Sequence, residues 1–396
     1  MQQVLTASKL VSGNSVVDHP VVVVAEGRIA SIASRTTSDL PAGQHHDFAG
    51  ATLSASFFDV HIHGAAGHDV MEATPEALAV MGRFLASHGT GSYLATTVTA
   101  PVEATLKSLS GLAKLIAAGG AAGSGEAIAS PVGIHLEGPF LSHSKRGVHP
   151  PDLLLEPDIA LFDRLFEAAE GQIRLMTLAP ELPGAVEFAA HATARGVRVS
   201  VGHSNATAAE TRAVIAAGAT SATHTFNAMR ALDHREPGIL GVVLTTDDLF
   251  AELICDGIHN TPEMVRIWSR CKGPERAILI TDAMSAAGMP NGEYYLGGFA
   301  VQVADGRATA NGVLAGSVLT LDRALKNYVE FTGEPVERAL PLLTANPSAM
   351  TGLGSAGLKV GDVANLVAVD GAGRLVGSLV DGVRATCSGA DGAGAP

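Results

Sequence analysis

The chain has 396 residues, of which 47% are hydrophobic, 16% charged and 4% aromatic. This composition is typical of a globular protein with a large core, and it excludes a disordered or fibrous chain. The formal net charge of −13 and the lack of a Lys/Arg-rich run argue against nucleic acid or an anionic membrane as a partner. The first fifty residues contain short apolar segments separated by turns, which predict an all-β segment.

From about Thr52 the pattern changes to short apolar runs that alternate with helical stretches, as in repeated βα units around a parallel sheet. Eight such runs indicate an α/β fold with a closed (β/α)8 TIM-type barrel. The runs span residues 56–63, 92–99, 131–138, 173–181, 197–204, 220–227, 250–259 and 277–284. Helices are predicted between most of them, at residues 75–88, 101–118, 157–169, 184–195, 206–217 and 262–271.

The remainder of the chain is predicted to be strand-rich at 294–310, helical at 320–332 and 335–345, and again strand-rich towards the end. Because chain ends often lie close together, the two end segments are expected to form one small discontinuous β-sandwich domain. The expected division is 1–51 with 355–385 for the small domain, 52–354 for the barrel, and 386–396 for a flexible tail.

The location expected from the sequence is cytoplasmic. No run reaches the roughly 18 to 20 apolar residues that a membrane span needs, and the first fifteen residues lack the features of a signal peptide. The three widely spaced cysteines, Cys255, Cys271 and Cys387, suit a reducing compartment.

Most of the eight runs end in a polar residue, and the strand ends of a barrel meet at one face, where active sites lie. His61 and His63 have the i, i+2 spacing that places two side chains on one face of a strand, with Asp59 before them. The two imidazoles could share a metal ion, although histidine pairs also fill polar cores.

Glu137, His203 and His224 end three further runs. A buried carboxylate needs a partner, so Glu137 should bind a metal ion or form a salt bridge. Each histidine alone is more simply explained as a hydrogen-bonded core residue. Together the three make a Glu/His/His set with an open position for water, as in catalytic zinc sites. His135, one layer deeper, is interpreted as barrel filling.

Asp282 ends the eighth run, where a carboxylate can take a proton from metal-bound water and pass it to a leaving group. A structural aspartate that accepts backbone hydrogen bonds is the alternative. Asn227, Arg235 and His259 are candidates for substrate binding. The Arg235 guanidinium could hold a phosphate or form a surface salt bridge, and the loop at 140–151 is locally basic.

Several motifs, in order from residue 59 to about 370, resemble the N-acetylglucosamine-6-phosphate deacetylase family of the amidohydrolase superfamily. They are DVHIHGAAGHDVME, HLEGPFLSHSKRGVHPP, GHSNAT, THTFNAM, HREPG, CDGIHNTPEMV, LITDAMSAAG, LAGSVLT and GLKVGDVANLVAVD. The resemblance implies a metal-bearing barrel with a small β-sandwich and a cytoplasmic homodimer. It also implies hydrolysis of N-acetylglucosamine 6-phosphate to glucosamine 6-phosphate and acetate.

The same resemblance implies residue roles. Glu137, His203 and His224 would hold the metal, Asp282 would be the acid/base, and Arg235 would reach across the dimer. His149 resembles a histidine that orients the acetyl group. The full set that resembles substrate contacts is Val148, His149, Asn227, Ala228, Arg235, His259, Leu314, Ala315 and Gly316.

The number and kind of metal ions are expectations of the same resemblance. Some family members have other residues in place of His61 and His63 and bind one ion, so the retained pair favours a second ion bridged by Glu137. Zinc is the expected metal, and iron, manganese or cobalt would accept the same ligands.

Two alternatives remain at the level of sequence. Another amidohydrolase, acting on a related N-acyl sugar or a cyclic amide, is the first. Dihydroorotase-like and hydantoinase-like enzymes usually carry a lysine at a strand end to bridge two ions, whereas Glu137 stands in that place here. The second is a catalytically silent barrel that binds a sugar phosphate, against which the combination of Asp282 with three metal ligands argues.

Overall fold

The structure is a computed structural model that describes residues 2–13, 15–35, 39–119, 125–354 and 357–387. Most of the tail predicted at 386–396 therefore lies outside the described residues. The chain begins with five strands, which are β1 (Gln3–Ser12), β2 (Ser15–Asp18), β3 (Pro20–Ala25), β4 (Arg28–Ser34) and β5 (Gln44–Ala55).

The middle of the chain alternates strands and helices. In chain order these are β6 (Phe57–Ile62), β7 (Gly64–Ala65), β8 (His68–Asp69), α1 (Pro75–Ser87), β9 (Thr90–Thr97), α2 (Val102–Ala117), β10 (Ser130–Glu137), α3 (Ile159–Ala168), β11 (Ile173–Leu178), α4 (Ala185–Ala194), β12 (Arg198–Val201), α5 (Ala208–Ala216), β13 (Ala219–Ala222), α6 (Gly238–Thr245), β14 (Phe250–Ile254), α7 (Pro262–Arg276) and β15 (Ala277–Ile280).

The last part of the chain contains a small sheet, three helices and three closing strands. They are β16 (Gly292–Leu296), β17 (Phe299–Ala304), β18 (Arg307–Ala310), β19 (Val313–Leu314), α8 (Leu321–Thr332), α9 (Val336–Ala339), α10 (Ala345–Thr351), β20 (Leu366–Val369), β21 (Leu375–Val380) and β22 (Val383–Arg384).

Eight parallel strands form the barrel, in the spatial order β15-β14-β13-β12-β11-β10-β9-β6. A bridge between Ile62 and Ala283 brings the first and eighth strands together at the carboxyl end. Every residue of β6 and β15 is buried, because strands enclosed by helices have no solvent-facing side and become apolar runs. The TIM-type barrel predicted from eight such runs is confirmed.

The two chain ends meet in a second eight-stranded sheet, in the order β22-β21-β20-β5-β1-β3-β4, with β2 paired to β1. Strand β20 pairs antiparallel with β5, with Ala368 opposite Leu53. One face of the sheet forms a core to which both ends contribute, including Leu5, Val22, Leu53, Leu366 and Leu379. The expectation of a small β-rich unit formed by both chain ends is therefore confirmed.

An antiparallel sheet of β16 to β19 lies between the eighth barrel strand and α8. Its buried Leu296 and Val301 pack with Val98 and Met284 of the barrel, so the sheet covers one side of the barrel mouth. Among the helices of the described residues, none combines the length and apolar character that crossing a bilayer requires.

Two local expectations differ from the structure. The sequence pattern did not predict α6, whose residues are almost all buried, so no polar face marks the helical period. The expectation of a single helix at 335–345 is wrong. After α9 the chain tightens into a 3-10 turn at Leu340–Leu343, which contains Pro341, before α10 begins.

Candidate active site

The strand ends that the sequence marked as polar surround a cavity of about 370 Å³ at the carboxyl face of the barrel. Predicted site residues that line it are His63, Glu137, Val148, His149, His203, His224, Asn227, Ala228, His259, Asp282, Leu314 and Gly316. The fully buried His61 contacts this group from below. The Ala315 side chain packs in the apolar cluster under the small sheet, and exposed Arg235 lies away from this cavity.

Glu137, the last residue of β10, lies at the centre of the site and is 3% exposed. Its Oε1 lies 3.2 Å from His224 Nε2, 3.3 Å from His203 Nε2 and 3.4 Å from His61 Nε2. Its Oε2 lies 3.3 Å from His63 Nε2 and 3.5 Å from His149 Nε2. One carboxylate therefore faces five imidazoles through the same ring nitrogen.

Two of these imidazoles are oriented through the opposite ring nitrogen. His63 Nδ1 lies 3.0 Å from the Thr96 carbonyl oxygen, and His203 Nδ1 lies 2.9 Å from that of Lys145. A carbonyl oxygen only accepts, so both Nδ1 atoms carry the proton. In the neutral imidazole the Nε2 lone pair is then directed at the cavity, which is the tautomer that a metal ligand requires.

The ring nitrogens fit divalent metal ions. His203 Nε2 and His224 Nε2 are 3.0 Å apart, and the buried His61 Nε2 has no hydrogen-bond partner among the described residues. Ligand atoms of His61, His63 and Asp282 lie within 4.8 Å of one another, as do those of Glu137, His149 and His203. Nitrogen and carboxylate ligands at such spacings match the donor sets of zinc-like ions.

Asp282 follows β15 and directs Oδ1 to His63 Nε2 at 3.2 Å and to His61 Nε2 at 3.6 Å. Its backbone also connects the strands, because Asp282 N donates to the His61 carbonyl and Asp282 O accepts from Ser317 N. The carboxylate therefore stands at the cavity side of the histidine pair, where it can exchange protons with a bound molecule.

Electrostatics inside the site are dominated by the two carboxylates. Burial alone would lower the pKa of His61, but the charges of Glu137 and Asp282 hold it well above the ordinary value. Burial also lowers the pKa of His63, but hydrogen bonds to Asp282 and Glu137 outweigh it and raise the pKa to about 9. Burial would raise the pKa of the Glu137 and Asp282 carboxyls, but His61 and the neighbouring imidazoles lower both. The site thus favours carboxylates facing positive charge.

The backbone is strained at the same positions. His203, His224 and Asp282 have φ of 47°, 29° and 50°, and Ala228 has 51°. Left-handed conformations of non-glycine residues cost on the order of 1–3 kcal/mol and cluster at functional sites. Each of these positions follows a barrel strand and lines the cavity.

The residue after Glu137 must be glycine. Gly138 has φ of 87°, and a Cβ there would overlap Thr99 Oγ1. Thr99 in turn contacts His149, because Thr99 N donates to His149 Nδ1 at 3.4 Å and Thr99 Oγ1 lies 2.8 Å from the same nitrogen. With Nδ1 accepting, the His149 proton resides on Nε2, which faces Glu137 and the cavity.

The predicted substrate-binding residues lie on the other side of the cavity. Asn227 and Ala228 follow His224, and Ala228 O accepts from Ser204 N at 2.9 Å. His259 Nδ1 lies 2.7 Å from Asp256 Oδ2. Burial opposes the charged form of His259, but the Asp256 carboxylate raises the pKa. A protonated imidazole here can bind an anion or a hydroxyl oxygen.

Three further groups support the strands and turns around the cavity, of which His135 and Asp59 are buried and Glu181 is partly exposed. His135 Nε2 lies 2.9 Å from Thr177 Oγ1, as expected of a barrel-filling residue. Asp59 accepts a hydrogen bond of 2.6 Å from Thr281 Oγ1, across the closure of the barrel, rather than facing the cavity. Glu181 accepts from Ser204 Oγ and Asn205 N, which anchors the turn after His203.

Glu252 is a residue of this region that the sequence pattern did not predict. It lies within β14, is fully buried, and directs Oε2 to His61 Nδ1 at 3.2 Å. The available signal was a lone charged residue inside the apolar run FAELIC. A carboxylate in such a position needs a partner, which the pattern alone does not identify.

Residues 52–389 match the model of the amidohydrolase family, and the chain belongs to that family. Among its relatives is an N-acetylgalactosamine-6-phosphate deacetylase of Escherichia coli O157:H7, 39% identical over 93% of this chain and 96% of the relative. An N-acetylglucosamine-6-phosphate deacetylase of Vibrio furnissii is 36% identical over 92% of this chain and 90% of its own length.

A similar structure has been solved. It is a mutant N-acetyl-D-glucosamine-6-phosphate deacetylase of Mycobacterium smegmatis in complex with N-acetyl-D-glucosamine-6-phosphate. It superimposes with a TM-score of 0.90 at 35% identity, covering 97% of this chain and 99% of that one. The barrel and the sheet of both chain ends are thus shared with an enzyme of this family.

Proposed function

We propose that the protein hydrolyses the acetamide of N-acetylglucosamine 6-phosphate, releasing glucosamine 6-phosphate and acetate. The observation that carries the proposal is Glu137 at the centre of five imidazole nitrogens, with Asp282 beside it at the wall of one cavity. A catalytically silent sugar-phosphate barrel has no need of this arrangement. The relatives of matching length support the substrate.

Hydrolysis of the galactosamine epimer is the second candidate. The Escherichia coli relative named for N-acetylgalactosamine 6-phosphate is 39% identical, compared with 36% for the Vibrio relative named for the glucosamine compound. The two substrates differ in the orientation of one hydroxyl group, so the same acetamide chemistry serves both. A direct comparison of the two sugars decides between them.

Divalent metal is part of the proposal. Glu137, His203 and His224 would hold one ion, and His61 and His63, with Glu137 between the two sets, would hold a second. Zinc is proposed, with iron, manganese and cobalt as chemically acceptable occupants. When bound, the metal supplies a water of lowered pKa and polarises the acetyl carbonyl.

The chain's own residues supply proton transfer and orientation. Asp282 takes a proton from the attacking water and returns it to the amine nitrogen as the C–N bond breaks. His149, with its proton on Nε2, donates to the acetyl oxygen as negative charge develops there. Val148, Leu314, Ala315 and Gly316 form the wall and backbone next to the acetyl group, and Asn227, Ala228 and His259 bind the sugar phosphate.

We also propose a cytoplasmic homodimer in which Arg235 reaches the neighbouring site. The loop before α6 is exposed, Leu232 is 59% accessible, and the Arg235 backbone is held by the Asp233 carboxylate. An apolar and a cationic side chain presented together on a fixed loop suit a contact with a second chain. Three free cysteines, with Cys271 exposed, suit a reducing compartment.

The domain division stays a proposal as well. Residues 52–354 would form the barrel, and 1–51 with 355–385 the small domain. The separate core beneath the end-to-end sheet supports it, because that core contains residues from both ends of the chain.

The function is tested by acetate release from N-acetylglucosamine 6-phosphate, N-acetylgalactosamine 6-phosphate and unphosphorylated N-acetylglucosamine. We expect fast release from the first, and a drop of about 10²–10⁴-fold in turnover for Asp282→Asn, because general acid-base catalysis is lost. Equal rates with and without the phosphate would contradict the assignment of His259 and Arg235. Faster release from the galactosamine compound would establish the second candidate, and full activity of Asp282→Asn would remove this residue from catalysis.

A further inference from the structure

Glu252 is a buried carboxylate that the proposed reaction does not use. Its Oε2 lies 3.2 Å from His61 Nδ1 and accepts a hydrogen bond of 3.3 Å from the backbone N–H of His224. Both the Glu252 and His61 side chains are fully buried. Its Oε1 has no hydrogen-bond partner among the described residues. The carboxylate therefore touches one residue from each of the two candidate metal sets.

The contact between Glu252 and His61 determines which ring nitrogen of His61 faces the cavity without a partner proton donor or acceptor from Glu252, namely Nε2. A carboxylate only accepts, so His61 Nδ1 carries a proton, and in the neutral imidazole Nε2 keeps its lone pair. That Nε2 lies 3.4 Å from Glu137 Oε1 and 3.6 Å from Asp282 Oδ1. His63 and His203 donate to neutral backbone carbonyls, whereas His61 donates to an anion. An anionic partner makes the imidazole a more basic ligand.

The negative charge of Glu252 also changes the net charge of the site. Three buried carboxylates, Glu137, Asp282 and Glu252, contact the His61 imidazole. With neutral histidines, one divalent ion leaves a net charge of about −1 in this buried region, which is costly. Two divalent ions leave about +1, which an anion from solvent or substrate can balance. Lys145, also at the cavity, is partly exposed, and water screens its charge.

We propose that Glu252 is a positioning residue that selects the second divalent ion, the one at His61 and His63. It does so by holding the proton of His61 on Nδ1 and by supplying the third negative charge that two ions require. This inference rests on the metal sites of the proposed function. It adds a residue whose effect is on ion number rather than on the reacting atoms.

The test measures metal, not acetate. The full chain is stripped with a chelator and reloaded with zinc, and the bound ions are counted by mass spectrometry after dialysis against graded chelator. We expect two ions on the wild type. For Glu252→Gln, the weaker-bound ion should lose about 10–100-fold in affinity while the other is retained. Cobalt loading gives a second readout, because the visible absorption of the second ion should disappear.

Two further variants make the outcome decisive. Asp256→Asn neutralises another buried carboxylate after the same strand, one that contacts His259 and not His61, and should still bind two ions. Glu252→Asp retains the charge with a shorter side chain and should hold the second ion more tightly than Glu252→Gln. If Glu252→Gln fails to fold, as judged by circular dichroism, the comparison of Glu252→Asp with wild type carries the test.

Several results would overturn the inference. They are one ion on the wild type, two ions of unchanged affinity on Glu252→Gln, loss of both ions together, and a second ion bound no better by Glu252→Asp than by Glu252→Gln. None depends on deacetylation. A protein that releases no acetate would contradict the proposed function. Selective loss of one ion in Glu252→Gln would still support the role of Glu252.

Discussion

His259 is the residue whose charge should set the pH range of substrate binding. Asp256 raises its pKa against burial, so the imidazole is positively charged below that raised value and neutral above it. A charged imidazole binds the anionic substrate more tightly. KM should therefore rise as pH increases through the folded pKa of His259.

Asp256→Asn separates this effect from others. The amide oxygen can still accept from the backbone N–H groups of Ile258 and His259, as Oδ1 does now, but the charge that raises the pKa is gone. Burial then lowers the pKa of His259, and the rise in KM should begin at lower pH. Steady-state KM between roughly pH 6 and 9 measures the shift, and superimposable profiles for wild type and variant would contradict it.

The sequence predicted the residues of the cavity better than the groups that orient them. Glu137, His203, His224 and Asp282 were identified because strand ends of a barrel converge, whatever the loops do. Glu252 and Thr99 act through contacts between neighbouring strands, at His61 and His149. Such contacts depend on the register of the strands and on the rotamers of the side chains. A pattern along one strand contains neither.

Helix α6 is stabilised at its carboxyl end by a buried lysine of α7. Lys272 is 5% exposed, and its Nζ donates to Val243 O at 3.0 Å and to Thr246 O at 2.6 Å. These carbonyls belong to the end of α6, where no following turn supplies donors. The ammonium therefore closes the helix that follows the Arg235 loop.

Lys272→Met should lower the free energy of unfolding by about 1–3 kcal/mol, because a buried and a partly buried carbonyl lose their donor. Urea denaturation followed by circular dichroism measures the change. The matched control is Lys114→Met on the exposed side of α2, where no such loss is expected. A Lys272→Met protein as stable as this control would show that water replaces the ammonium at no cost.

The helices that the apolar-polar period of the sequence predicted poorly are buried on all sides or are interrupted by a proline. α6 is enclosed by the barrel and its neighbours, so its eight residues show no alternation of apolar and polar positions. At 335–345 the helical pattern was present, but Pro341 cannot donate an i to i−4 hydrogen bond and the turn tightens. Amphipathic helices such as α2, with its buried Leu109 and Leu112, were predicted at nearly their observed ends.

At the scale of the whole molecule, net charge and site charge are separate properties. The chain has 39 acidic and 26 basic residues, yet the cavity presents a set of imidazoles, Lys145 and the charged form of His259. Electrostatic influence of exposed charges decays over about 10 Å in salt. An anionic sugar phosphate can therefore bind a protein that is acidic overall.

The proposed dimer predicts that two inactive chains repair each other. Arg235→Ala retains Asp282 but lacks the guanidinium, and Asp282→Asn retains Arg235 but lacks the acid/base. If Arg235 reaches the partner's cavity, a mixed dimer has one site with both groups intact. Random mixing in equal amounts makes half of the dimers mixed, so activity at low substrate concentration should recover to about a quarter of wild type.

Each variant, dissociated and reassociated alone, is the control, and light scattering after size-exclusion chromatography shows whether dimers form. Mixed dimers that recover no activity would mean that Arg235 serves the cavity of its own chain or neither cavity. A monomeric protein with full activity would contradict the dimer itself. Recovery near a quarter would require that each cavity is completed by the neighbouring chain, because neither variant alone contains both groups.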